Sequence, residues 1–131
     1  MTVEPLLAAG PTIVIHTFAA LGALVLGAAL YALPKGRRPH QAIGITCAIL
    51  LLTTALTAVF ITTDPSGAFS WIHGFIPLTL FGLFGIWMGV ARRNFRQHKF
   101  AARGIIFGAL LVPGLFTLVP GRIMHAVVFG E

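Results

Sequence analysis

The chain has 131 residues, of which 57% are hydrophobic and only 9% charged, and its mean hydropathy is +0.95. So few polar side chains cannot cover the surface of a water-soluble domain, which excludes that class and leaves lipid as the solvent. The net charge of +6 and an isoelectric point near 11.3 would suit a nucleic acid, but the basic residues sit in short stretches beside apolar ones without a nucleic-acid-binding motif, so no nucleic acid is expected and anionic lipid headgroups are the expected partner.

Crossing the hydrocarbon core takes about 20 mostly apolar residues at ~1.5 Å rise each. Residues 1–10 carry Glu4 and no Lys or Arg. The apolar stretch that follows, 12–33, is longer than a signal-peptide core, so it is expected to stay as the first span. Pro34 to Pro39 holds Lys35, Arg37 and Arg38, and a second span is predicted over 41–62. Cys47, the single cysteine, falls inside it and allows no internal disulfide, so it reads as a small packing residue. After a loop with Asp64, a third span is predicted over 71–91, followed by the basic stretch Arg92, Arg93, Arg96, Lys99, Arg103. A fourth span is predicted over 104–120. One helix from Arg103 to Glu131 would be ~43 Å long, so a kink near Pro113, a turn at Pro120-Gly121 and a short amphipathic stub over 121–131 are expected.

Short alternating segments of the barrel type are absent, so the predicted class is an all-α transmembrane four-helix bundle in a single domain. Eight of the nine basic residues lie in the first and third loops. The positive-inside rule puts those loops in the cytoplasm and both termini outside, in the inner membrane.

The five histidines keep register between two predicted hairpins: His16 precedes His40 by 24 residues and His73 precedes His98 by 25. This pattern suggests a parallel repeat. His16, His73 and His125 belong to the outer side with Arg122; from the span starts, His16 lies ~8 Å and His73 ~3–5 Å below the outer boundary. Ionisable side chains at membrane depth are functional candidates, and imidazole is a usual ligand for haem iron and for copper or zinc. The reading is that His16 and His73 are axial ligands to haem b, or bind a single transition metal, with His125 nearby and Arg122 facing a propionate. His40 and His98 would form a second site on the cytoplasmic side, although His98, in Arg96-Gln97-His98-Lys99, reads as part of a solvated interfacial turn. Each histidine also has a plainer use: bonding a carbonyl or a threonine within the bundle, or reaching to the headgroups.

Glu4, Asp64 and Glu131 are the only acids, and all lie outside the predicted spans, so there is no carboxylate pair for hydrolysis or proton pumping. No nucleophile motif or phosphate loop is present. Any activity is limited to electron carriage, with a quinone held by His16 or His73 as a further option. Two other readings stand beside it. One is a cofactor-free accessory subunit packed through its glycine-rich faces on a larger respiratory or photosynthetic complex. The other is metal or haem transport or sensing with Pro77 and Pro113 as hinges. Glycines such as Gly82, Gly85 and Gly89 suit either close helix packing or a flat macrocycle.

The run of His16, Pro34-Lys35-Gly36, His40 with Gly44, Ser70-Trp71-Ile72-His73, His98, Phe116-Thr117 and Pro120-Gly121-Arg122-Ile123-Met124-His125 resembles a group of small bacterial four-span membrane proteins, a domain family of unknown function. The resemblance covers nearly the whole chain, and the closing Pro-Gly-Arg-x-Met-His is its most specific element. It implies that all five histidines and Arg122 act together in a bacterial membrane. Gln41 stands where the family pattern has a basic residue. The family brings no established activity.

Overall fold

The computed structural model describes residues 1–62 and 66–130; Asp64 and Glu131 lie outside the described residues. Helices account for the folded elements among them: α1 (Glu4–Ala8), α2 (Pro11–Ala32), α3 (Arg38–Ala58), α4 (Phe75–Ala91) entered through a tight 3-10 turn Trp71–Gly74, α5 (Phe95–Gly104), a π-helical stretch Ile105–Leu111, α6 (Val112–Phe116) and α7 (Ile123–Phe129). Four helical stretches, Pro11–Ala32, Arg38–Ala58, Trp71–Ala91 and Phe95–Phe116, are long and apolar enough to cross a membrane. The protein is a multi-pass membrane protein built as an all-α four-helix bundle.

Proline opens α2 and α3, where the missing N–H belongs to the unpaired first turn. Lys35 closes α2 from the other end by donating to the Leu30 carbonyl, and its ammonium sits 5.8 Å from the Tyr31 ring centroid.

The fourth span begins at Phe95 rather than near 104, so most of the basic stretch between spans three and four is helix. The link is only Arg92–Asn94. Arg93 takes a left-handed φ of 53°, Asn94 N–H donates to the Gly89 carbonyl at 2.8 Å, and the Asn94 side chain then accepts from Gln97 N–H at 3.2 Å to cap α5. Basic residues fit this helix because they occupy one side of it.

Near Pro113 the helix widens into i→i+5 spacing over Ile105–Leu111. The proline ring crowds the carbonyl four residues back, and the wider turn relieves that crowding. The turn at Pro120-Gly121 is present, with Gly121 at φ 89°. The stub is α7, which packs on α1, a short helix not expected from the sequence; Thr2 N–H donates to the Val127 carbonyl at 3.2 Å.

Helix α2 packs on α3, α3 on α4, α4 on α5, and the π-helical stretch returns to α2 and α4. The ring closes, leaving α3 and α5 on a diagonal. At its centre Ala23 is fully buried with Cys47, Leu51, Ile105 and Leu110. The Cys47 thiol donates to the Ala23 carbonyl at 3.4 Å, so Cys47 is a packing residue that brings α2 and α3 together. Large apolar side chains such as Phe18, Phe81 and Phe107 point outward, as lipid-facing residues do.

Close packing of the second hairpin runs along three glycines. A Cβ on Gly85 would stand 3.1 Å from Ala101 Cβ, one on Gly82 would overlap Ile105, and one on Gly89 would stand 2.6 Å from the His98 nitrogen. Residues 82 to 89 of α4 therefore match residues 98 to 105 of the fourth span, α5 and the first residue of the π-helical stretch, in antiparallel register. These glycines serve helix approach, which in lipid replaces the missing hydrophobic drive.

Candidate functional site

At the basic end of the bundle, His40 is the third residue of α3 and His98 the fourth of α5. The diagonal helices bring their rings together, with centroids 6.4 Å apart and planes at 62°. Gly89 positions His98: with no side chain at 89, the α4 backbone lies directly on the His98 backbone. His98 Nδ1 donates to the Ile86 carbonyl at 3.3 Å, which orients the ring and directs Nε2 elsewhere. His40 Nδ1 is buried and has no hydrogen-bond partner among the described residues. An unsatisfied buried nitrogen costs about 1–3 kcal/mol, the kind of deficit a ligand would remove.

Two imidazoles held by one metal from opposite sides, with metal–nitrogen distances near 2.0 Å, have centroids roughly 6 Å apart. The His40–His98 centroid separation is of that size. No cluster of three or more His, Cys, Asp or Glu that could hold a metal occurs among the described residues.

The opposite end is arranged differently. His16 is tied to α3: Nδ1 lies 3.0 Å from the Thr54 carbonyl and 3.1 Å from Thr57 Oγ1. His73 uses both ring nitrogens. Nδ1 accepts from Ser70 N–H at 3.1 Å and Nε2 donates to the Ile61 carbonyl at 2.8 Å. The Ser70–His73 exchange is a capping box that starts the Trp71–Gly74 turn. His125 Nδ1 donates to the Leu118 carbonyl at 2.7 Å and stacks on Phe129, ring centroids 4.7 Å apart. Arg122 is exposed at the start of α7.

For a metal at His16 and His73, a carbonyl on His16 Nδ1 leaves Nε2 open, whereas His73 would have to give up at least one of its bonds. His16 and His73 anchor the same region, the last turns of α3 and the residues just after it, from two different elements. His98 belongs to a capped helix, not to a turn. Thr54, Thr57 and Gly89 were not singled out as partners of histidines; the signals were the threonine spacing at 53, 54 and 57 and the Gly82, Gly85, Gly89 stripe.

Compared with family models, with curated proteins and with solved structures, the chain has no match.

Proposed function

We propose that this protein binds haem b, or a single transition metal through the same two imidazoles, at His40 and His98, and carries electrons in the cytoplasmic membrane with its basic end inside. The observation that carries the reading is the His40–His98 pair at 6.4 Å, with an unpartnered buried nitrogen on one ring and a carbonyl orienting the other. Bound haem would supply a one-electron couple, tuned by the two imidazoles that would hold it. The protein's part is to hold both rings: Gly89 sets the distance of His98 from α4, and the Ile86 carbonyl fixes its tautomer. Arg37 and Arg38, at the start of α3, are the cations nearest in sequence to His40 for propionates, because Lys35 is engaged at the end of α2.

The test is a reduced-minus-oxidised visible spectrum of the detergent-purified chain, with metals assayed on the same sample. A b-type alpha band or a stoichiometric metal is expected, falling roughly tenfold or more in His40→Ala and in His98→Ala. A signal lost in His16→Ala and His73→Ala but kept in the other two would move the site to the opposite end. A flat spectrum with no metal would defeat the proposal in favour of a cofactor-free accessory subunit.

A further inference from the structure

Helix α5 has two sides. At about 100° per residue, Lys99, Arg103, Arg96 and Phe100 lie roughly 100°, 140°, 160° and 200° around the axis from His98. Gln97, Ala101 and Ile105 lie roughly 100°, 60° and 20° around the other way, on the side packed against α4: the first two meet Gly85 while Ile105 meets Gly82. The three cations are therefore turned away from the histidine pair and have no part in that site.

They edge an open cleft of about 470 Å³ lined by Asn94, Arg96, Gln97, Lys99, Phe100 and Arg103. Phe95 is 59% and Phe100 81% exposed on the same helix. Glu4, the one acid among the described residues, belongs to α1, which packs with α7 at the other end of the bundle. The cleft is positive, and no acid among the described residues lines it. Arg103 lies eight residues after Phe95, ~12 Å further along the axis, on a helix that starts a candidate span. A guanidinium at that depth is costly unless it reaches back to an anion at the interface.

We propose that the Arg96, Lys99, Arg103 face of α5 is a binding site for the headgroup phosphate of an anionic phospholipid. The arginines take its oxygens bidentately, Lys99 adds a point charge, and Phe100, on the same face and between Lys99 and Arg103 in depth, offers an apolar ring to the start of the acyl chains. A free phosphate ion would satisfy the cations but make no use of the exposed Phe100 ring. The site requires only the membrane-spanning architecture and stands apart from the haem reading.

Native mass spectrometry of the delipidated full chain, titrated with phosphatidylglycerol and separately with phosphatidylcholine, tests it. One phosphatidylglycerol should be retained in preference to phosphatidylcholine. The Arg96→Gln, Lys99→Gln, Arg103→Gln triple variant should weaken that binding roughly 10- to 100-fold. A control triple variant that removes the same charge at the same end, Arg38→Gln, Arg92→Gln, Arg93→Gln, should weaken it far less, and Arg96→Lys with Arg103→Lys should fall between the parent and the first triple variant, since the charge stays but the bidentate bonds go. If the first triple variant does not fold, its three single variants serve instead, each losing part of the preference. Equal loss in both triple variants, no preference between the lipids, or full displacement of lipid by millimolar inorganic phosphate would overturn the proposal.

Discussion

Gly89 and Gly44 are both helical glycines, yet their surroundings give opposite predictions. A Cβ at 89 would meet the His98 nitrogen at 2.6 Å and its Cα at 2.8 Å, and neither backbone atom can rotate away. Gly89→Ala should therefore separate α4 from α5 and lower stability by about 1–3 kcal/mol. A Cβ at 44 meets nothing within 4 Å, so Gly44→Ala should raise stability by roughly 0.5–1 kcal/mol through the lower entropy of its unfolded chain. Thermal unfolding in one detergent reads both, and shifts of the same sign would contradict the packing described. At this scale the sequence located the histidines but not their surroundings. An apolar span gives a histidine no distinctive neighbours, so the Thr54 carbonyl below His16 and the Ile61 carbonyl below His73 could not be read from it. Nor could the meeting of His40 with His98, which depends on α3 and α5 lying on a diagonal.

Elements were more legible, because hydropathy over some 20 residues is a strong signal. Four spans were readable, and the third was found within its expected limits, 71–91. The fourth was placed nine residues late. Hydropathy averages over the whole turn of a helix, so the charges at 96, 99 and 103 masked a helix whose other side faces Gly82, Gly85 and Gly89. The punctuation was there in Asn94, whose side chain caps α5. Asn94→Ala should cost about 1 kcal/mol in the same unfolding experiment, and Asn94→Ser should recover most of it. If neither variant moves the midpoint, the cap does not hold the first turn of α5, and the position of His98 then rests on Gly89 alone.

For the whole molecule, composition alone set the solvent, and two short basic links with apolar spans between them set an up-down-up-down path. Closure of the ring was beyond the sequence, because it rests on the approach of residues about 80 apart, such as Gly27, where an added Cβ would stand 3.3 Å from the Ile106 side chain. The proposed division of labour is also a whole-molecule property: one side of α5 turned inward to a histidine pair, the other outward to lipid phosphate. At the opposite end α1 lies against α7, joined by the Thr2 to Val127 hydrogen bond. A chain whose first and last turns already touch is nearly a loop, so the point where it is cut is arbitrary as far as packing is concerned. Joining those ends with a short flexible linker and opening the chain at Gly36, a left-handed position at φ 77° with open space around it, should give a circular permutant with the same bundle. Its unfolding midpoint should stay within a few degrees of the parent's. A permutant that folds would mean that the order in which the two hairpins enter the membrane is not what specifies their partnership.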